Sequence, residues 1–188
     1  MKNLGITSLI VGSLLIGFAC TNENKKEDST EVAEEKNEEK FDTTKVEDDT
    51  EFMVSAASGG MLEVQLGEIA VKNAASAKVK EFAAAMVADH TMANTELKAL
   101  AATKNISLPA TPSDEHLKDI NDFAKKSGAE FDKDYMSYMV DDHEDDIDAY
   151  EKEADKGNDA DIKAFAAGKV PTLKHHLEMA KMCKDALK

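Results

Sequence analysis

The chain has 188 residues but no arginine and no tryptophan, and aromatic residues make up only 5% of it. Its formal net charge is −15, because 38 Asp and Glu residues stand against 23 lysines. Phosphate binding needs a clustered positive surface, so this composition argues against nucleic acid as a partner. The shortage of aromatic rings also argues against platforms on which bases stack.

Helix-breaking residues are scarce as well, with three prolines and nine glycines in the whole chain. Hydrophobic residues still make up 42% of it, which suffices for a core, and most of them are Ala, Val, Leu and Met. Alanine and straight-chain residues lose little conformational freedom in a helix. No segment alternates between apolar and polar residues as a strand would, so the sequence predicts an all-α fold.

Cysteine occurs only twice, and the first, Cys20, follows a segment that is typical of a secretion signal. Lys2 precedes an uncharged apolar run over residues 4–18, and a small residue stands directly before the cysteine. Residues 1–19 therefore resemble a bacterial lipoprotein signal peptide. This resemblance implies that Cys20 becomes the lipidated N-terminus and anchors the chain to a membrane. An uncleaved anchor is the alternative, but about 15 apolar residues are short for a membrane-spanning helix.

The residues around Cys20 also bear on the location of the protein. Thr21 stands where an aspartate is associated with retention in the inner membrane, so by resemblance we expect the outer membrane, on its periplasmic side or at the cell surface. Gly17 replaces the leucine that usually lies three places before the lipidated cysteine. With Cys20 lipidated, Cys183 has no partner for an internal disulfide.

Residues 20–51 are strongly acidic and almost free of apolar side chains. They contain thirteen Asp and Glu residues against five lysines, a net charge of −8, which is about half of the total of −15. Such a segment cannot bury enough apolar surface to offset the entropy of ordering it. We therefore expect a disordered tether over residues 20–51 and a folded domain over residues 52–188.

Hydrophobic residues spaced three and four apart predict four long helices in this domain. Ser76 is the expected N-cap of the second long helix, and Pro171 suits the first turn of the last one. The expected long helices cover residues 50–73, 77–104, 129–156 and 171–187, with short helices at 114–126 and 159–167. Because each long helix has an apolar face that needs a partner, the predicted architecture is a four-helix bundle.

One polar residue interrupts the apolar stripe of each long helix near its middle. These residues are Glu63, His90, His143 and His176, in chain order. Since antiparallel neighbours of similar length meet at their midpoints, the four side chains are expected to converge inside the bundle. Burying an unpaired charge or imidazole is costly, so the pattern predicts either mutual pairing or a shared ion.

Two interpretations of this centre stay open. Three neutral imidazoles and one carboxylate are ligands typical of a single divalent metal ion such as zinc, iron or copper. A metal-free hydrogen-bond network that fixes the register of the helices is the alternative. In the metal interpretation, Asp89 and Asp142 are candidate outer acceptors for the imidazoles, and Met86 or Met139 would favour copper.

Catalysis is the least favoured hypothesis, because the sequence contains no recognisable pair of nucleophile and base. An enzyme would have to use the Glu/His cluster, with an open coordination position and an access path. A non-catalytic interaction or structural module of the envelope is the alternative that accompanies the metal-free network. The sequence identifies neither a protein partner nor an oligomeric state.

Four motifs resemble those of a bacterial family. They are MLEVQLG around Glu63, VKEFAAAMVADH ending at His90, FDKDYMSYMVDDH ending at His143 and PTLKHHL around His176. Together they resemble the uncharacterised "putative outer membrane protein" family, a domain of unknown function, over residues 52–187. The resemblance implies a ferritin-like four-helix fold in the cell envelope and no established activity. The chain lacks the Glu-x-x-His pairs of ferritin-type di-iron sites, which argues against ferroxidase chemistry.

The remaining candidate residues have simpler interpretations. His116 begins a polar helix and is expected to be exposed, and His175 is expected at the surface because it points about 100° away from His176. The carboxylates at residues 141–148 are expected to form a solvated helix face. Methionine at helical spacing is more often core than metal ligand, which is the expectation for the segment containing Met179, Met182 and Cys183.

Overall fold

A computed structural model describes residues 27–41 and 44–187 of the chain. These residues form helices and no named strand, which confirms the all-α prediction. The helices are α1 (Ser29–Glu38), α2 (Thr44–Asn73), α3 (Ala77–Lys104), α4 (Asp114–Ala124), α5 (Gly128–Lys156) and α6 (Ala160–Ala186). The signal peptide expected at residues 1–19 and the lipidation site expected at Cys20 lie outside the described residues.

The four long helices form two hairpins. Helix α2 packs along α3, and α5 packs along α6. Only residues 74–76 and 157–159 connect the members of each hairpin, so the two helices in each run antiparallel. Helix α3 also contacts α6, and α2 contacts α5, so the hairpins share one interior. Among the helices of the described ranges, none has the length and apolarity needed to cross a membrane.

The interior consists of two apolar clusters with the polar residues between them. One cluster includes Leu66, Phe82, Phe131, Met136 and Met139, which are buried. The other is built around buried residues that include Met53, Leu97, Ile147, Ile162 and Leu173. Along α3, α5 and α6 the central histidine falls between the residues of one cluster and those of the other, whereas Glu63 of α2 lies between Leu62 and Leu66 of the first cluster. The polar residues are therefore enclosed by apolar packing on both sides.

The prediction of a disordered tether over residues 20–51 is wrong for the part of this segment that the structure describes. Helix α1 packs against α2 and buries Ala33 and Asn37. The Asn37 amide donates to the Ser107 carbonyl at 3.0 Å and accepts from the Ser107 amide at 2.6 Å. Helix α2 also begins at Thr44, six residues before the expected start at residue 50. The burial of Ala33 against α2 and the two hydrogen bonds between the Asn37 side chain and the backbone of the loop after α3 both favour the ordered form of this acidic segment.

The break expected before Pro171 is also absent, since α6 runs from Ala160 to Ala186 through the proline. An internal proline removes one backbone hydrogen bond and costs about 3 kcal/mol. Ile162 and Ala166 are buried on one side of Pro171 and Leu173 on the other, all in the same apolar cluster. Packing against α5 on both sides of the proline holds the two segments in one helix.

Two buried carboxylates fix the ends of the hairpins. Asp132 accepts hydrogen bonds from the backbone amides of Ala75, at 3.0 Å, and Ser76, at 2.8 Å, ahead of α3. Asp49 of α2 accepts from the amides of Asn158, at 2.8 Å, and Asp159, at 2.6 Å, ahead of α6. The unpaired amides and the dipole at a helix N-terminus both favour a carboxylate there. Neither residue could be predicted from the sequence, because nothing local distinguishes these two aspartates from exposed acids.

Candidate metal centre

The structure brings together the four polar residues that interrupt the apolar stripes, as predicted. His90 Nδ1 lies 2.6 Å from Glu63 Oε2, and His143 Nε2 lies 3.5 Å from Glu63 Oε1. His90 Nε2 lies 3.3 Å from His176 Nδ1. One ring nitrogen from each of the three histidines can be chosen so that all three lie within 4.8 Å of one another. Their convergence is confirmed, whereas their role as metal ligands stays a prediction.

Carboxylates hold the outer nitrogens of two of these rings. Glu63 Oε2 contacts His90 Nδ1, and Asp89 Oδ2 lies 3.0 Å from His176 Nε2. An ionised carboxylate can only accept, so each contact then places the ring proton on the nitrogen that faces the acid. The other nitrogens, His90 Nε2 and His176 Nδ1, then face each other as acceptors. Two facing lone pairs require a proton or a cation.

His143 lacks a carboxylate contact as close as those of His90 and His176. Its ring is fully buried, and neither of its nitrogens has a hydrogen-bond partner among the described residues. The nearest acidic atoms, Glu63 Oε1 and Asp142 Oδ2, lie 3.5 Å from Nε2 and Nδ1, respectively. Buried polar groups in folded proteins are almost always paired, so an unpaired imidazole beside two others requires an explanation such as an ion.

Burial controls the protonation of the centre. It lowers the pKa of His90 to about 4 and that of His176 to about 4. Both imidazoles are therefore neutral at pH 7, which is the form that coordinates a metal. Burial also raises the pKa of Glu63 well above its usual range, and the Asp142 carboxylate raises this pKa further. The desolvated carboxylate of Glu63 is therefore stable in its charged form only when a proton donor or a cation contacts it.

A small cavity connects the centre to the surface. It has a volume of about 90 Å³, and its lining includes Asp89, His90, Ala93, Leu173 and His176. Pockets that bind small molecules typically enclose about 300–1,000 Å³. The cavity therefore has room for an ion and water beside the histidines, but little room for an organic substrate.

The other candidate residues divide into those placed as expected and those that are not. His175 is exposed, as predicted, whereas the expected exposure of His116 is wrong. His116 is half-buried, with Nδ1 at 2.8 Å from the buried Ser58 hydroxyl, because α4 packs on α2. Met86 and Met139 are fully buried in an apolar cluster. Met179, Met182 and Cys183 were expected in the core, but Met182 is 73% exposed.

The solvated face expected at residues 141–148 is only partly correct. Asp141, Asp145 and Asp148 are exposed. Asp142 and Asp146 are half-buried and line a cleft together with residues of α2 and α4. A helix face that is polar throughout gives no sequence signal for the side on which a second helix packs, which is why these two residues were missed.

Comparison with known proteins supports the fold and names a family. The chain matches the family described as a domain of unknown function, DUF4142, over residues 32–183, so most of α1 lies within the matched domain. It is similar to the crystal structure of a "putative secreted protein DUF305" from Streptomyces coelicolor, with a TM-score of 0.59 and 10% sequence identity over 70% of this chain and 89% of that chain. At this identity the likeness shows a shared fold alone. No curated protein matches the chain.

Proposed function

Since the chain belongs to the DUF4142 family, a domain of unknown function, we propose that this domain is a ferritin-like four-helix bundle that binds one divalent metal ion in its core. His90, His143 and His176 are the proposed ligands, each through one ring nitrogen. The observation that carries the proposal is the buried ring of His143, which has two unpaired nitrogens beside the other two imidazoles.

We propose a role for Glu63 that differs from the one expected from the sequence. Its Oε2 contacts His90 Nδ1 at 2.6 Å, which is the contact of an orienting acceptor. Metal-bound histidines usually donate their other ring N–H to a carboxylate, and Asp89 provides the same contact to His176. We therefore propose that Glu63 and Asp89 fix the two rings so that His90 Nε2 and His176 Nδ1 face the ion.

The donor set favours a borderline metal. Three neutral imidazoles suit zinc, copper and iron, and zinc with three protein ligands retains a fourth position for water. The cavity beside His90 and His176 supplies space for that water. Zinc is the metal that this set fits best, because three neutral imidazoles, with no cysteine grouped beside them among the described residues, are a typical ligand set of zinc.

A metal-free network is the second candidate, and the raised pKa of Glu63 favours it. A protonated Glu63 could donate to His90 Nδ1, His90 Nε2–H to His176 Nδ1, and His176 Nε2–H to Asp89. This series of hydrogen bonds gives a partner to Glu63, His90 and His176, but it leaves His143 buried and unpaired among the described residues. The network therefore leaves both nitrogens of His143 unpaired, whereas a metal ion binds one of them together with the facing nitrogens of His90 and His176.

Calorimetric titration of chelator-treated protein with Zn²⁺, Cu⁺ and Fe²⁺ distinguishes the two candidates. We expect one equivalent of Zn²⁺ in the wild type, at least tenfold weaker binding in His90→Gln and His176→Gln, and no change in His175→Gln. His175→Gln is a matched control, since it removes an exposed imidazole next to the proposed ligand. Equal binding by all four proteins would refute the metal centre and leave the network.

We also propose that the domain is anchored in the bacterial envelope by lipid on Cys20. The support is the sequence of residues 1–20, with its charged start, apolar run and terminal cysteine. Incorporation of labelled palmitate by the wild type and not by Cys20→Ser is the expected result. Labelling of both proteins or of neither would contradict the anchor.

A further inference from the structure

A second, acidic cleft of about 430 Å³ opens between α2, α4 and α5. Six carboxylates line it: Asp141, Asp142, Asp145 and Asp146 from α5, and Glu115 and Asp119 from α4. No lysine lines the cleft, and none of the lysine ion pairs in the described part of the chain involves these six residues. Such a concentration of one charge attracts cations, but exposed acids alone do not make a site.

Buried oxygen atoms beneath the cleft make it more than an acidic surface. Glu63 Oε1 and Asp142 Oδ2 are both inaccessible to solvent and have no hydrogen-bond partner in the described part of the chain, and Glu63 as a whole is 1% exposed. Glu63, Asp142 and His143 offer ligand atoms that lie within 4.8 Å of one another. Desolvated carboxylate oxygens without a donor are costly unless a cation contacts them.

Asp146 lies one helical turn after Asp142 in α5, and both side chains are half-buried and line the cleft. Burial raises the pKa of Asp146 well above its usual range, and the charges of Glu63 and Asp142 raise it further. Asp142 and Asp146 therefore lie on the same face of α5, at the wall of the cleft. The two oxygens of Glu63 have different neighbours, since Oε2 contacts His90 and Oε1 is directed toward His143.

We infer that the domain holds a second divalent cation beneath the acidic cleft, bound by carboxylate oxygens of Glu63 and Asp142, with Asp146 on the next turn of α5 as a third acid that lines the same cleft. The inference builds on the proposed three-histidine centre, with which this position shares His143 as a neighbour. Oxygen donors suit hard cations such as Mn²⁺, Mg²⁺ and Ca²⁺, whereas the imidazoles suit zinc. The two positions therefore select different metals, and Glu63 lies between them.

Binding of Mn²⁺ to zinc-loaded protein, followed by electron paramagnetic resonance of the free ion, tests this inference. We expect one bound Mn²⁺ in the wild type and at least tenfold weaker binding in the double variant Asp142→Asn/Asp146→Asn. The control Asp141→Asn/Asp145→Asn removes the same charge from exposed positions of the same cleft. In this control we expect the affinity for Mn²⁺ to change by less than threefold.

The outcomes separate this inference from the proposed function. One bound zinc without bound Mn²⁺, or equal losses in the two double variants, would overturn the second position and leave the histidine centre intact. If zinc does not bind, the proposed function falls, and Mn²⁺ binding to the zinc-free protein still decides the second position. Should the inner double variant fail to fold by circular dichroism, Asp142→Asn alone replaces it with the same expected loss.

Discussion

Among single residues, Asp89 provides a direct test of how the histidines are oriented. Its Oδ2 lies 3.0 Å from His176 Nε2, and it is not a proposed ligand. Loss of such an outer partner typically lowers metal affinity about 10–100-fold. We therefore expect Asp89→Asn to weaken zinc binding by about this factor in competition with a chromophoric chelator.

The control for Asp89 is Glu178→Gln, which removes an exposed carboxylate two residues after His176. It subtracts the same charge without touching the imidazole, so we expect its zinc affinity to stay within about twofold of wild type, since exposed charges contribute little. An equal loss in both variants would mean that general electrostatic attraction, rather than orientation of His176, governs affinity.

The residues of the centre were predictable from spacing, but the roles of their atoms were not. A polar residue at an apolar position, repeated in four helices, was sufficient to predict that Glu63 and the three histidines converge. Whether Glu63 binds a metal or orients His90 depends on which oxygen faces which ring, and helix periodicity contains no such information. The inward position of Asp146 depends on packing between helices for the same reason.

Between elements, the glycines of α2 determine how closely α3 can approach. A Cβ atom at Gly67 would lie 2.7 Å from Val87 Cγ2 and 3.1 Å from the Ala83 carbonyl oxygen, whereas one at Gly59 would meet nothing within 4 Å. We expect Gly67→Ala to destabilise the fold by about 1–3 kcal/mol through overpacking. Gly59→Ala should stabilise it by about 0.5–1 kcal/mol through helix propensity.

Urea unfolding of both alanine variants, followed by circular dichroism, measures these opposite changes. Each variant adds one methyl group to the same helix, so the sign of the difference reports the contact with α3 rather than the substitution itself. Stabilisation by Gly67→Ala would show that the two helices are not in close contact at this point.

A buried pair of carboxyl groups makes the connection between α2 and α5 sensitive to pH. Burial, together with the charge of Asp49 and a hydrogen bond to it, raises the pKa of Glu153 to about 7. A carboxyl group with a raised pKa in the folded state stabilises the fold at low pH, and this contribution disappears as the pH rises through 7. We therefore expect the free energy of unfolding to fall by about 1–2 kcal/mol between pH 5.5 and 8.5.

Urea midpoints over this pH range, for wild type and Glu153→Gln, test the role of the pair. Glutamine keeps a hydrogen-bond donor for Asp49 at every pH, so the variant should lose most of the pH dependence and be the more stable protein at pH 8.5. Parallel pH profiles for the two proteins would assign the dependence to other groups.

Element boundaries show where local sequence signals fail. The long helices α3 and α5 follow their predicted limits within one residue, because their apolar spacing is regular and their ends carry turn residues. Helix α1 has too few apolar residues to be predicted, and it is ordered by bonds such as those of Asn37 to Ser107, which is distant in sequence. At Pro171 the sequence predicted a break that does not occur, because tertiary packing on both sides of the proline outweighs its local effect on the helix.

For the whole molecule, metal binding and folding are linked, because the proposed ligands come from three helices of two hairpins. An ion that binds only the folded state stabilises it by RT ln(1 + [L]/Kd), or about 2.7 kcal/mol at a hundredfold excess over Kd. For a protein of this size, 1 kcal/mol shifts the melting temperature by about 2–4 °C. Calorimetry should therefore show melting about 5–10 °C higher with zinc than with EDTA.

The variants used for binding decide whether this stabilisation comes from the proposed centre. His176→Gln should melt at the same temperature with zinc and with EDTA, whereas His175→Gln should retain the full difference. Histidines and Cys183 of the unfolded chain also bind zinc, so the observed shift is expected to be smaller at high zinc concentration than the folded-state affinity alone predicts. Equal melting temperatures of wild type with zinc and with EDTA would mean that the four helices are held at their centre by the hydrogen-bond network alone.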